Sequence, residues 1–269
     1  STKIGPVGIN LGYTTKIKRP RYDQLSTELQ YNNRFLYQTG DPTLLNEIQN
    51  TLSLNANWRW LTLTGAYEVV DNAIYQLGYP YDDDCTAMVK YSNAKETVRK
   101  LNIYLNASPT VGIWNPRYTV GMEKQYFETT VIDPRESTGT RVVKRNDPMF
   151  FVQANNSFKL KQGWLIDLDY QYTSPFDYVM YKFTKPKHGL NLAVSKSFLK
   201  HDALNVRLAW NDILNKTKEH VCTDYGNFIH NQNNDYYSPS IQLRLSYRFN
   251  TANSKYKGTG AGADAKSRM

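Results

Sequence analysis

The segment Pro239-Ser240-Ile241-Gln242-Leu243-Arg244-Leu245-Ser246-Tyr247-Arg248-Phe249-Asn250 decides the fold. Its apolar residues Ile241, Leu243, Leu245, Tyr247 and Phe249 alternate without a break with Gln242, Arg244, Ser246 and Arg248. Strand side chains point alternately to two faces, so one face here suits an apolar medium and the other carries two guanidinium groups. A small soluble core has no place for those arginines. A transmembrane barrel strand does, because lipid lies outside it and a polar lumen inside. The fold class therefore turns on whether the pattern recurs.

It recurs along the chain. Val7, Ile9, Leu11 and Tyr13 oppose Gly8, Asn10, Gly12 and Thr14, and Ile48, Leu52, Leu54, Ala56 and Trp58 oppose Glu47, Gln49, Thr51, Ser53 and Asn55. After almost no turn, Leu61, Leu63, Gly65, Tyr67 and Val69 alternate with Thr62, Thr64, Ala66 and Glu68. Further pairs follow at 101–108 with 118–122, at 150–158 with 164–172, and at 190–198 with 204–210. Each pair is joined by a few Gly-, Pro- or Lys-rich residues, and the total is about ten strands. Long polar segments separate the hairpins, among them 17–45, about twenty residues around Tyr81, 132–147, 174–188 and 215–238. Connections that alternate short and long are the habit of outer-membrane barrels, with short periplasmic turns and long outer loops. Runs of ~10 residues match a tilted bilayer crossing. The expected fold is an all-β transmembrane antiparallel barrel over residues 1–250, followed by a periplasmic C-terminal tail, 251–269.

Composition agrees. No stretch approaches ~18 consecutive apolar residues, so a membrane-spanning helix is excluded. The 21 Tyr, 10 Phe and 5 Trp include the residue types that favour the membrane–water boundary. The net charge of +9 is partly carried by Lys255, Lys257, Lys266 and Arg268, and no run of five basic residues points to nucleic acid. Outer-membrane lipid and its anionic headgroups, lipopolysaccharide included, are the expected surroundings. No leader peptide is read at Ser1, so the numbering is expected to be that of a mature or truncated chain.

The strand directions place Cys85 and Cys222 in outward loops, where a disulfide between them and two unpaired thiols both remain open. The outer loops also hold the candidate ligand-binding residues Tyr79, Tyr81, Asp82, Asp83, Tyr225, Phe228, Tyr236 and Tyr237, aromatic faces able to stack on a solute. Tyr81-Asp82-Asp83-Asp84 has carboxylates of the type that ligate Ca²⁺, but a solvated acidic loop accounts for them better, and no metal or cofactor is expected. His220 and His230 share a loop with Asp224 and Asp235 without a spacing that denotes catalysis. The polar segment 132–147 contains Arg135, Arg141, Lys144 and Arg145, and its part around Arg141 to Arg145 hints at an anion. Asp167, Asp169, Arg207, Arg244 and Arg248 fall on the lumen parity, where pairing across neighbouring strands is expected.

The ending Leu245-Ser246-Tyr247-Arg248-Phe249-Asn250, with 254–262 and 266–269, resembles the C-terminal signature of outer-membrane β-barrel proteins related to TonB-dependent receptors. Lys18-Arg19-Pro20-Arg21-Tyr22 with Gln24-Leu25, Gly40-Asp41-Pro42 with Leu44, and Trp114-Asn115-Pro116 are similar to further landmarks of that barrel. The resemblance implies a barrel of about 22 strands with a plug in its lumen. It further implies nutrient uptake across the outer membrane of a Gram-negative bacterium, with no enzymatic step. Coupling to TonB would run through a missing N-terminal barrel and plug part, and in such proteins the loops can dock a surface lipoprotein. About ten strands and no plug depart from the full pattern, so the chain is expected to be its C-terminal portion. The alternatives are a self-contained ten-strand pore or surface protease, and a soluble carbohydrate-binding β-domain.

Overall fold

The computed structural model describes residues 2–81, 87–133, 135–226, 229–235 and 239–249. Ten long strands build a single curved wall: β1 (Val7–Lys18), β2 (Glu47–Trp58), β3 (Leu61–Asp71), β4 (Val98–Ala107), β5 (Trp114–Ile132), β6 (Met149–Lys159), β7 (Trp164–Thr173), β8 (Lys187–Phe198), β9 (Leu204–Asn211) and β10 (Ser240–Tyr247). Each pairs antiparallel with the next, and the short strands Thr2–Ile4 and Thr140–Arg145 extend the sheet at β1 and β5. The wall does not close. Among the described residues β10 has β9 on one side and nothing on the other.

Register fixes the two faces. Val206 lies opposite Leu245, Leu208 opposite Leu243 and Trp210 opposite Ile241, while Arg207 lies opposite Arg244 on the other face. Following the pairings across the sheet, Val194, Ile166 and Phe158 share the apolar face, as do Val120, Leu105, Leu63, Leu54 and Leu11. This face is open, with Leu243 65% and Leu245 66% exposed. So many uncovered aliphatic side chains in one band require an apolar solvent. The concave face carries Asn10, Ser53, Thr64, Asn106, Thr119, Gln153 and Asp167, the lining of a wet lumen.

The connections alternate as the sequence predicts. Turns at 59–60, 108–113, 160–163 and 199–203 join the strands at one end. The other end departs from expectation, because the long polar segments are structured. Residues 19–46 and 72–97 together form a four-stranded sheet in the order Gln30–Asn33, Leu36–Thr39, Ala87–Asn93 and Ile74–Pro80, and 174–186 with 212–239 form a second. The segment 132–147, read as a loop, instead continues β5, whose Phe127 to Ile132 pair with Thr140–Arg145. β5 is 19 residues long. At ~3.3 Å per residue it outruns an apolar band of ~25 Å, so its upper half stands outside the membrane.

The only buried apolar cluster among the described residues lies at that upper end. Val70, Val98, Phe127, Val131 and Val143 from the extended strands pack with Tyr75, Ala94 and Met180 from the connections. Phe127, Thr129 and Val131 have the concave-face parity of β5. Tyr75 meets Phe127 edge-on at 5.1 Å, and its hydroxyl lies 2.8 Å from Thr129 Oγ1. The long connections therefore pack on the concave side of the wall at this end. We call this assembly the cap.

Candidate functional site

The cap is assembled by three clasps, each needing particular residues. The first is the landmark around Gly40-Asp41. Tyr22–Leu25 forms a single helical turn whose Gln24 side chain accepts the Arg21 N–H at 2.9 Å. Gly40 and Asp41 donate backbone bonds of 2.7 Å to Ser26 O and Gln24 O. A Cβ on Gly40 would lie 2.3 Å from Gln24 O, which only glycine avoids. Asp41 Oδ1 accepts the Thr43 hydroxyl at 2.6 Å and its N–H at 2.9 Å, and Lys90 lies 3.0 Å away. These bonds favour the anion and hold the Asp41 carboxyl down to about 2.

The second clasp joins the β5 hairpin to the segment after Glu219–Asp224. The Arg141 guanidinium reaches Asp224 and Asp133, and Arg135 reaches both Asp133 oxygens and Gly226 O. The Asp133 side chain is 3% exposed, and the two guanidinium groups, Arg135 first, hold its carboxyl well below the usual carboxylate range. Of the basic residues that hinted at an external anion, Arg141 is thus taken up by the protein's own carboxylates and Lys144 pairs with Glu128 at 2.9 Å, whereas Arg145 donates to the Lys144 carbonyl. The third clasp is Gln125, which donates to Val179 O and accepts the Val179 N–H at 2.8 Å, tying the turn at 178–181 over the concave face.

Between these clasps lies a cavity of about 410 Å³ lined by Tyr75, Tyr91, Tyr178, Tyr181 and Tyr225, with Arg21 at its edge. A second, of about 400 Å³, lies between Ile74–Pro80 and the outer part of β5 and includes Tyr79 and Glu128. Of the candidate ligand residues, the structure thus brings Tyr225 into the first cavity and Tyr79 into the second. Tyr81 is 45% exposed and stacks on Tyr37 at 4.9 Å, away from both. Asp82, Asp83, Phe228, Tyr236 and Tyr237 lie outside the described residues, as do Asp84, the tail from 250 onward and Cys85, hence its pairing with Cys222. Cys222 itself sits on Glu219–Asp224, between Lys182 and Asn231 of the flanking strands. Sequence reading missed Tyr75, Tyr91, Tyr178 and Tyr181. Their signal is weak in one dimension because three separate segments, 74–80, 87–93 and 176–183, supply them.

Three of the four His and Asp residues of the 215–238 segment have partners within the cap. His220 Nδ1 lies 2.6 Å from Asn233 Oδ1, Asp224 is held by Arg141, and Asp235 pairs with Lys218 at 3.1 Å. No group of three metal-ligating side chains occurs among the described residues. On the lumen face Arg207 Nη1 lies 2.6 Å from Asp167 Oδ2 and 3.2 Å from Ser195 Oγ, a bridge across β8. Asp169 stands between Asn155 and Asn191 on the adjoining strands. Arg244 faces Arg207 directly, and both Arg244 and Arg248 are exposed.

This geometry has a known relative. The chain matches the family described as "Outer membrane protein beta-barrel family" over residues 2–247. The chain belongs to that family. Its outward apolar band and polar lumen are thus those of a β-barrel protein of the outer membrane. Among solved structures it is similar to the siderophore receptor PirA from Pseudomonas aeruginosa, at 14% identity and a TM-score of 0.56. The likeness covers 80% of this chain and 37% of the receptor, so the chain spans little more than a third of that protein's length. No curated protein matches the chain.

Proposed function

We propose that the chain is the C-terminal part of a TonB-dependent-type receptor that takes up a nutrient across the outer membrane of a Gram-negative bacterium. One observation carries this reading: the wall is open. Among the described residues β10 has a bare edge, and β1 is covered on its far side only where Val7, Gly8 and Ile9 meet Thr2–Ile4. In hydrocarbon each unsatisfied backbone group costs several kcal/mol, so the two edges need partner strands. A further N-terminal stretch of barrel, bringing the total to about 22 strands, supplies them. A lumen of that width leaves room for a plug against the concave polar face, where Arg244 and Arg248 await acidic partners. The inward-folded cap then forms the outer mouth, with solute capture above and TonB coupling through the plug below.

In this reading the short turns and the tail after Asn250 are periplasmic, lipopolysaccharide surrounds the outer band, and a surface lipoprotein docks on the outer loops. The chain binds and passes its solute without a catalytic step. Two experiments test it. With Cys85 and Cys222 replaced by Ser, cysteines at Asn10 and Arg244 should stay unlinked in folded protein in outer membranes, because strands of the N-terminal part separate β1 from β10. A disulfide between them would mean that the ten strands close on themselves, which sinks the proposal. Uptake that depends on this gene should also disappear when TonB is deleted.

A further inference from the structure

We infer that the tyrosine-lined cavity of the cap binds an uncharged saccharide; this deepens the receptor reading above and rests on it for the fate of the solute. Its volume of about 410 Å³ lies within the range of small-molecule clefts, roughly 300–1,000 Å³. Its walls are fixed before any ligand arrives. Tyr75 is held between Phe127 and Thr129, Tyr225 lies against Gly78, where a Cβ would come 2.2 Å from its ring, and Tyr91 accepts from Gln38 at 3.4 Å. The turn that presents Tyr178 and Tyr181 is tied to Gln125. Such preorganisation lowers the ordering cost of binding.

The chemistry of the lining selects the ligand. Tyrosines offer flat apolar faces with hydroxyl tips, matching a sugar ring whose C–H faces are apolar and whose edge is a row of hydroxyls. Tyr178 and Tyr181 both line the cavity and Tyr178 is 52% exposed, which places a ring and hydroxyl groups within reach of a solute. Charge argues in the same direction. The Arg21 guanidinium is paired with both oxygens of Asp23, at 2.8 and 2.7 Å, so the described lining carries no unmatched cation. A half-open site without a counter-charge offers a multiply charged iron chelate nothing to offset the hydration it loses on entering.

Calorimetry on the whole receptor that contains this chain, in detergent, would test this with maltotetraose, cellotetraose and N-acetylchitotetraose as neutral probes and a ferric tris-catecholate complex as the anionic one. Saturable binding of at least one neutral probe and none of the ferric complex is expected. Tyr181→Ala should weaken that binding about tenfold, the upper range for one aromatic contact, and Tyr181→Phe should weaken it less. A heat-dependent shift in gel mobility equal to that of the unsubstituted protein shows that each variant is folded. Binding of the ferric complex, absence of binding by all neutral probes, or an unchanged affinity in folded Tyr181→Ala overturns the inference. A sugar that binds while uptake ignores TonB keeps the site and removes the receptor reading; TonB-dependent uptake without sugar binding does the reverse.

Discussion

Arg141 bridges two carboxylates that the chain brings together from far apart. Its Nη2 lies 2.8 and 2.7 Å from the oxygens of Asp224, 83 residues away, and its Nε lies 3.1 Å from Asp133 Oδ2. Because Asp133 is held below its ordinary value in the folded cap, the unfolded segment binds its proton more readily. The clasp therefore contributes fully above the unfolded carboxylate value, ~3.9, and loses its contribution as the pH falls below it. Amide exchange across 219–224, taken relative to the intrinsic rate at each pH, should be flat from pH 7 to 5 and rise below about 4. In Asp133→Asn the protection should be lower throughout and the acid-induced rise smaller. A wild-type segment that loosens between pH 7 and 6 would point to another group.

The outward face of β10 predicts a contrast between neighbours. Leu243 is 65% exposed on the lipid side, and Gln242 lies on the lumen side opposite Ala209. Leu243→Arg should cost about 2–4 kcal/mol of folding stability in bilayers if it sits at the midplane, and Gln242→Arg close to nothing. Urea titration of refolding into vesicles measures both. Equal effects would mean that the two faces are not lipid and lumen.

The wall was legible because alternation is local: Ile241 to Phe249 state their faces without reference to any other strand. Arg207 and Asp167 were placeable on the lumen side for the same reason. The cap was not legible. Residues 19–46 and 72–97 read as polar loops because their sheet joins Leu36–Thr39 in parallel to Ala87–Asn93, a pairing across some fifty residues that leaves no periodic trace. The cavity shares that cause, since Tyr91 and Tyr181 are neighbours only after two long connections have folded inward. The basic segment misled because Arg141 finds its anion in Asp224, which no spacing announces.

Two strand glycines separate packing from propensity. A Cβ on Gly121 would come 2.3 Å from Phe151 and 2.8 Å from Tyr104 on the concave face, where those rings stand 5.5 Å apart. Gly65, on the lipid face, has nothing nearer than 4.0 Å. Gly121→Ala should therefore cost about 1–3 kcal/mol through overpacking. Gly65→Ala should be neutral or stabilise by about 0.5–1 kcal/mol, because alanine loses less backbone freedom on folding. Denaturant unfolding in micelles compares them, and a stabilised Gly121→Ala would show that the two rings part readily.

Gly226 shows how strictly the cap is joined. Its φ is +88°, and a Cβ there would lie 2.0 Å from the carbonyl oxygen of Ile132 at the end of β5. Its own carbonyl accepts from Arg135 at 2.7 Å, and its N–H donates to Asp224 Oδ1 at 3.0 Å. Gly226→Ala meets two penalties, a left-handed backbone of roughly 1–3 kcal/mol and a collision with main chain that cannot rotate away. Gly139 has φ +68° but nothing within 4 Å, so Gly139→Ala meets only the first. Limited proteolysis should then cut Gly226→Ala within 219–235 far faster than Gly139→Ala, while the heat-modifiable gel shift of the wall stays the same in both. Matching cleavage in the two variants would show that the segment is not held against β5 at Gly226.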